Sequence, residues 1–460
     1  MKKTDVLIIG GGSAGLTAAF TAKGFNKDVL LIEKNKLGGE CTWNGCIPSK
    51  ALIKSSKIAN KLNNASKYGI NIQGKKNYND VLKNLKNIQN DIYKHESPEA
   101  LKQRDIEVII GEAKFINKSV VEVNNQKIKA KKIILATGSE PRIPKIDGLE
   151  EINYLTNQNL FNLDKLPNSL GIVGAGPIGI EIAQSFNRLG VKVSLFIRHT
   201  KILKNEDPKL SNLLKEKLID EGIKIYENFN IKKLSNENNK IFINNEISVD
   251  KIFFAIGRKV NYKKLNLDSA NIKLNKKGII KTNKHLKTTN KNVFCCGDII
   301  GPFRLSHMAY EQAKIATMNA LLPLSQKVNY ENIIWTVFSD PELAHLGYLE
   351  NYKDDYLTFE YEFKNLDRSL TDKNTLGLAK VITDKKYKIL EANILGPNAG
   401  ELIHHLQILK SQNIPLYKAE SMIYAYPTYS EILRELGKKA KLHRINNNFF
   451  MKLYRRLRNE

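Results

Sequence analysis

The chain has 460 residues, of which 42% are hydrophobic and 26% charged, enough for two or three domains with ordinary cores and too apolar for a disordered chain. Its formal charge of +26 comes from 73 Lys and Arg against 47 Asp and Glu. The lysines are spread evenly among Asn and Ile, so the charge reads as a solvated surface and no nucleic-acid partner is expected. No run of about 18 uncharged apolar residues occurs, which excludes a membrane-spanning helix, and the four cysteines are too few for a disulfide scaffold.

The opening MKKTDVLIIGGGSAGLTAAF has the lysines and apolar stretch of a secretion signal. Asp5 and the glycine triplet interrupt it and no small-residue cleavage site follows, so a cytoplasmic protein is expected. DVLIIG reads as a strand running into Gly10, Gly12, Ser13, Ala14 and Gly15. A helix follows in LTAAFTAKGF, then a second strand, DVLLIE, that ends in Glu33 with Lys34 behind it. Strand, glycine turn, helix, strand and acid together make a dinucleotide-binding unit. The glycines let the backbone approach a pyrophosphate, the helix N-terminus stabilises its charge, and Glu33 can bind ribose hydroxyls.

Next comes GGECTWNGCIPSK, residues 38–50, with two of the four cysteines, Cys41 and Cys46. The spacing is too long for a CxxC pair and wrong for a zinc knuckle, and no other Cys-His cluster offers further ligands, so no metal is expected. Two such thiols can be bridged if the first lies in a turn and the second starts a helix. Gly38, Gly39 and Gly45 permit that turn, and CIPSKALIKSSKIANKL reads as the helix. A thiol at a helix N-terminus has a lowered pKa, and a disulfide in a reducing compartment is transient and catalytic.

KKIILATGSEPRIPKIDG, residues 131–148, reads as a strand, a Thr137-Gly138 turn and a Pro-rich exit. A second fingerprint follows in LGIVGAGPIGIEIAQSFNRLGVKVSLFIR, residues 170–198, with Gly174, Gly176, Pro177, Ile178 and Gly179 in its turn. Its second strand ends in Arg198 and His199, with Lys201 and Lys204 beyond, rather than in an acid. A carboxylate there would repel a 2′-phosphate and these cations attract it, so NADPH is favoured over NADH. VDKIFFAIGRKVNY closes this unit at Gly257 and Arg258, and NVFCCGDIIG gives a further strand ending in Gly297 and Asp298. Cys295 and Cys296 in that strand read as core filling, and HMAYEQAKIATMNALL as the helix after it. Two dinucleotide units suggest one bound flavin and one diffusing nicotinamide.

In this order and spacing, the two fingerprints, GGECTWNGCIPSK, ATG, AIGR, CCGD and SDPELAHLGY resemble the class I pyridine nucleotide-disulfide oxidoreductases over residues 3 to about 440. That group includes glutathione reductase, dihydrolipoamide dehydrogenase and mercuric reductase. The resemblance implies an α/β architecture of two doubly wound nucleotide-binding domains plus an α+β dimerisation domain. The expected bounds are 1–148 with 283–330 for FAD, 149–282 for NAD(P)H and 331–441 for the homodimer interface. It further implies that NADPH reduces FAD and that FAD reduces a Cys41–Cys46 disulfide. Cys46 would face the flavin and Cys41 would meet a small-molecule acceptor. Lys50 would pair with Glu181 beside the flavin's reactive nitrogen, and Asp298 would bind its ribityl or phosphate region.

One segment departs from the pattern. Family members acting on organic disulfides carry HPTxxE near the C-terminus, with the histidine as acid-base for the partner subunit's interchange thiol and the glutamate orienting it. Here the segment is IYAYPTYSE, with Tyr426 in the histidine position while Thr428 and Glu431 remain. A neutral tyrosine, titrating near about 10, is a poor proton shuttle at neutral pH. His404 and His405 read as an ordinary helix face. The mercuric branch has a tyrosine in this segment, yet the C-terminal cysteine pair of that branch is absent here. The reading is therefore mercuric-reductase-like or dihydrolipoamide-dehydrogenase-like. The alternatives are a redox sensor with little turnover and a membrane-surface quinone reductase. The last rests on residues 442–460, where Phe449, Phe450, Leu453 and Leu457 lie at helical spacing opposite basic residues. A short helix packed against the dimer is the favoured reading of that tail.

Overall fold

The computed structural model of the chain describes residues 1–74, 77–260, 262–347 and 356–448. The aromatic and basic residues of the tail beyond 448 lie outside them. The chain forms two compact units: 1–174, 189–192 and 231–328 in the first, and 175–188, 193–230 and 329 onward in the second.

The first unit is built on a sheet whose strands run in the order Glu107–Ile110, Val29–Glu33, Lys2–Ile9, Gln126–Leu135, Val120–Val123 and Lys114–Phe115, with Val293–Cys295 also paired to Gln126–Leu135. All five residues of VLLIE are buried, as expected where helices cover both faces of a parallel sheet. Gln126–Leu135 shows both regimes. Its first half alternates and pairs antiparallel with Val120–Val123, while its last three residues are continuously buried where it runs parallel to Val293–Cys295. On one face Ala18, Ala19 and Ala22 of helix Ser13–Gly24 pack with Ala309, Ala313 and Ala316 of helix Ser306–Leu321. Small side chains let these two helices approach closely, which later matters for what sits at their N-termini. Leu7, Ile9, Leu30 and Ile32 fill the other face with Phe115 and Val121.

Strand Ser169–Val173 pairs in parallel with Lys251–Phe254, also in the first unit, and Gly174 follows it. A short antiparallel pair, Ser139–Pro141 with Arg258–Val260, brings two segments far apart in sequence side by side. A three-residue strand containing proline has no periodicity to read; it lies between Gly138 and the irregular Pro-rich exit, which follows at 142–146.

In the second unit, helix Pro177–Arg188 begins just after Gly176, and residues 194–196 pair in parallel with Lys224–Tyr226. Arg188 is buried and bridges Glu221 (2.6 Å) and Asp340 (2.7 Å), which ties that helix to the C-terminal part of the unit. A five-stranded antiparallel sheet runs in the order Ile334–Val337, Glu342–Leu346, Ile389–Gly396, Leu378–Thr383 and Leu357–Glu362. Helices Ala399–Ser411 and Glu431–Asn446 cover it through Leu402, Ile403, Leu406, Ile432, Leu433 and Leu436. His404 and His405 lie on the first of these helices.

Candidate functional site

The first fingerprint folds as its glycines require. A Cβ on Gly15 would stand 1.7 Å from the carbonyl oxygen of Gly10, so only glycine lets the helix start against the preceding strand. Gly39, at φ +57°, has its own missing Cβ filled by the Gly12 Cα, 2.7 Å away. This close approach sets the thiol-bearing segment directly on the nucleotide turn.

A cleft of about 690 Å³ runs along these elements. It gathers Gly10, Gly12, Ser13, Ala14, Glu33, Lys34, Gly39, Cys41, Thr137, Gly138, Arg258, Gly297 and Asp298, all expected from the sequence, into one wall. The Glu33 carboxylate is buried and accepts hydrogen bonds from the backbone N–H of Gly11 (2.6 Å) and Asn35 (2.8 Å). Those bonds fix its orientation while the carboxylate keeps further lone pairs for hydroxyls in the cleft.

Arg258 is the hub of the cleft's polar network. Its Nε donates to Ser139 Oγ (2.6 Å) and one terminal nitrogen donates to the Ser139 carbonyl (2.7 Å). The same terminal nitrogen pairs with the Glu40 carboxylate, and Asp298 Oδ2 lies 3.6 Å from Nε. Ser139 Oγ in turn donates to Asp298 (2.6 Å), and Asn157 Nδ2 to Glu40 (2.9 Å). A guanidinium held between two carboxylates is a rigid, charge-balanced fixture.

Of the two thiols, Cys41 lines this cleft. Cys46 begins helix Cys46–Asn63, as expected, whereas Cys41 lies inside a short helix, Gly39–Asn44, rather than in a turn. The left-handed conformation of Gly38 and Gly39 starts that helix, and Gly45 separates it from the next. Neither thiol is in a disulfide, and both are half-buried. Cys46 Sγ also lies 3.1 Å from Ser306 Oγ, at the N-terminus of helix Ser306–Leu321. The neighbouring Cys46 thiol, reinforced by burial, pushes the Cys41 thiol well above its usual range. The pair therefore carries one negative charge long before it carries two. Between the cysteines, Trp43 is anchored by its N–H to the Leu37 carbonyl (2.7 Å), meets Tyr93 edge-on, and lies under the Lys36 ammonium, 3.2 Å from the ring centre.

Lys50 is half-buried on the same helix as Cys46, with its ammonium 3.3 Å from Ser49 Oγ. In the second unit, Glu181 is buried and accepts a hydrogen bond from the Phe338 N–H (3.0 Å). The second fingerprint places Gly176, Pro177, Ile178 and Gly179 at the start of helix Pro177–Arg188. The Leu203 N–H donates to the Ala175 carbonyl (2.9 Å), which folds the basic loop back onto the fingerprint turn. Arg198, His199 and Lys204 on that loop are exposed, and their side chains make no ion pair or hydrogen bond among the described residues. Gly257 is exposed and precedes Arg258.

Tyr426 is 69% exposed, and its hydroxyl donates to Asp367 Oδ2 (2.7 Å). That bond and the Asp367 charge push its pKa up, so it holds its proton more tightly than an ordinary tyrosine. Glu431 is turned elsewhere: it accepts from the Thr428 N–H (3.3 Å) and pairs with Arg434 (2.8 Å). Cys295 and Cys296 are fully buried, and burial pushes Cys296 up to about 12.

Several residues of the site were not read from the sequence: Glu40, Ser139, Asn157, Ser306 and the Lys36–Trp43 stack. Glu40 stands beside Cys41 in the quoted motif, yet its partner Arg258 is 218 positions away.

The cradle fits FAD. Its glycine turn and helix N-terminus suit a pyrophosphate, Glu33 a ribose, and Asp298 a ribityl chain, with the thiols at the end beyond. A dinucleotide cleft that ends on a paired thiol, followed by a second fingerprint, defines a nucleotide-linked flavin oxidoreductase. Residues 4–320 match the pyridine nucleotide-disulphide oxidoreductase family and residues 333–436 its dimerisation domain. The chain belongs to that family: it is an FAD-dependent NAD(P)H disulfide oxidoreductase carrying the domain that forms the homodimer. It is 30% identical over 449 residues to a mercuric reductase of Bacillus cereus, covering 94% of this chain and 70% of that protein. It is also 30% identical over 453 residues to the dihydrolipoyl dehydrogenase of Mycoplasma genitalium, covering 95% and 98%. Among solved structures it resembles the Cu(II) complex of the HOCl-induced flavoprotein disulfide reductase RclA from Escherichia coli. That likeness has a TM-score of 0.86 at 26% identity and covers 95% of this chain and all of that one. Among the described residues no helix is long and apolar enough to cross a membrane.

Proposed function

We propose that this enzyme passes electrons from NADPH through the Cys41–Cys46 pair to a soft metal cation, with Cys41 as the thiol that meets the acceptor. When bound, FAD supplies the two-electron link between the nicotinamide and the disulfide. Cys46, whose helix N-terminus and Ser306 contact favour a thiolate, faces the flavin side. Lys50, on the same helix, supplies positive charge there. Asp298 and Glu33 hold the cofactor's ribityl and ribose hydroxyls, with Arg258 fixing Asp298. The exposed side chains of Arg198, His199 and Lys204 receive the 2′-phosphate of NADPH. The protein works in the cytoplasm, where its disulfide is a transient state rather than a structural brace.

The observation that carries the choice of acceptor is Tyr426, whose proton is tied to Asp367 and whose neighbour Glu431 is committed to Arg434. Organic disulfides leave as thiolates that need protonation, whereas a thiophilic cation needs only deprotonated sulfur. Two similar proteins, a mercuric reductase and a flavoprotein disulfide reductase seen as a Cu(II) complex, motivate a metal acceptor for this one. NADPH oxidation would be followed with Hg(II), Cu(II), glutathione disulfide and lipoamide in turn. The metals are expected to support turnover and the disulfides little. Tyr426→His is expected to raise turnover of the disulfides by about a hundredfold, the lower end of general acid–base catalysis. Fast disulfide turnover by the unaltered enzyme, or metal turnover that survives Cys46→Ala, would overturn the reading.

A further inference from the structure

A single row of side chains crosses every strand of the antiparallel sheet in the second unit. Cross-strand pairing sets Trp335 opposite His345, His345 opposite Asn393, Asn393 opposite Lys380 and Lys380 opposite Glu360, so all of them share one face. That row meets the short stretch where the basic loop ends. Trp335 Nε1 donates to Glu206 Oε1 (2.7 Å), Lys380 pairs with Asp207 (2.8 Å) and Glu360 pairs with Lys209 (2.7 Å). Glu206 Oε2 is buried and accepts no hydrogen bond among the described residues. Its ion-pair partner is His345, whose Nδ1 lies 3.6 Å away. The Glu206 N–H donates to the Leu203 carbonyl (2.8 Å), and Leu203 is itself bonded to the fingerprint turn at Ala175. Leu203 stands at φ +45°, a left-handed conformation that a leucine keeps only where its surroundings impose it.

We propose that Glu206 and His345 are positioning residues for the coenzyme. The His345 imidazolium holds the Glu206 carboxylate against the sheet, and Glu206 holds Leu203 and with it the loop that presents Arg198, His199 and Lys204. The proposal rests on the reading of those cations as the 2′-phosphate site. Its physical basis is the cost of a buried carboxylate that has lost its cation. When His345 gives up its proton, Glu206 Oε2 keeps neither a hydrogen bond nor a charge partner. The carboxylate then gains by leaving the sheet for water, and Leu203 is free to relax from its left-handed conformation. The charged groups about the ring are Glu206 from the loop and buried Glu391 from strand Ile389–Gly396, with the Asp207–Lys380 pair next along the row. Burial pushes the His345 pKa down, and Glu206, Glu391 and the Gly347 carbonyl together bring it above its ordinary value. The loop is therefore docked below about pH 6.5 and released as pH rises through the higher folded-state value. NADPH loses affinity on that rise, whereas NADH, which has no 2′-phosphate, is spared.

The test measures binding rather than turnover. Adenosine 2′,5′-bisphosphate and 5′-AMP, which differ by the 2′-phosphate, are titrated by calorimetry into the FAD-loaded protein at about pH 6.5 and about pH 8.5. The affinity of the unaltered protein for the bisphosphate is expected to fall about tenfold over that range, a coupling of ordinary size between two sites. His345→Gln carries no charge at either pH. It is expected to bind the bisphosphate weakly at both, keeping only the slope that His199 and the ligand's own phosphate contribute. Glu206→Gln keeps the bond from Trp335 and has no charge to strand, so it is expected to bind tightly at both, apart from that same slope. Affinity for 5′-AMP is expected to be alike in all of them, and thermal unfolding reports separately on folding. Equal pH slopes in the unaltered protein and His345→Gln overturn the proposal, as does a Glu206→Gln protein as weak as His345→Gln. If Arg198→Ala binds the bisphosphate as tightly as the unaltered protein, the 2′-phosphate site itself is misplaced and the proposal falls with it.

Discussion

Two arginines show how differently the two units treat the same side chain. Arg258, in the first unit, is held by Glu40, Asp298 and Ser139 through its Nε and one terminal nitrogen. Arg198, in the second, stands exposed on a loop with no side-chain partner among the described residues. Their local sequences, AIGRKV and LFIRHT, are alike in character. The difference lies in long-range pairing: one arginine is part of the scaffold that shapes a cofactor cleft, and the other is free to receive an anion that arrives and leaves with each turnover.

The largest effect should come from breaking the committed arginine. Arg258→Ala leaves two half-buried carboxylates facing each other across Ser139. It is expected to cost about 2 kcal/mol of stability and to loosen flavin. Thermal unfolding together with flavin absorbance after gel filtration checks both parts. Removing the free arginine should do something narrower. Arg198→Ala is expected to raise the KM for NADPH about tenfold, leave that for NADH nearly unchanged, and shift stability by less than about 0.5 kcal/mol. A matching loss with both coenzymes would erase the contrast.

The smallest effect asks whether commitment belongs to the first unit or to burial as such. His345, buried in the second unit, stacks on Trp335 with ring centres 3.8 Å apart. Its Nδ1 faces Asn393 Oδ1 (2.7 Å) and its Nε2 donates to the Gly347 carbonyl (2.8 Å). The Asn393 amide nitrogen donates to Glu391 (3.0 Å), which turns its oxygen toward the ring, so both imidazole nitrogens meet acceptors. Burial pushes the His345 pKa down, but Glu206, whose carboxylate lies 3.6 Å away, together with Glu391 and the Gly347 carbonyl outweighs it, and the net shift is upward. A raised folded-state value means the charged form stabilises the fold. That contribution is complete below the unfolded value near about 6.5 and is lost as pH rises through the higher folded one. The stability difference between the unaltered protein and His345→Gln is therefore expected to shrink from pH 6 to pH 8. A difference that grows with pH would show the ring to be neutral.

Much of the fold could be read in the chain because its signals are local. Gly10, Gly15 and Glu33 lie within one strand–helix–strand unit, and the fully apolar VLLIE announces a strand covered on both faces. Cys46 at a helix start was legible for the same reason, from Gly45 and the helix-forming run beyond it. What escaped depends on partners far along the chain. The Glu40–Arg258 pair, the Ser139–Pro141 strand and the Ser306 contact to Cys46 arise only when the sheet brings segments together. Cys41 was misread as a turn residue because Gly38 and Gly39 signal a turn. Their left-handed conformations instead launch a helix of only six residues, too short to show periodicity. Tyr426 was legible as a departure in sequence, but its bond to Asp367 and the turning away of Glu431 were not.

The burial of Cys295 and Cys296 gives the protein a built-in analytical standard. Only Cys41 and Cys46 can meet a reagent while the core is intact, so the folded, reduced chain presents two countable sulfurs and the unfolded chain four. The ratio of labelled sulfurs before and after denaturant thus reports, on a single sample, both the fraction of redox pairs in the open form and the fraction of molecules still folded.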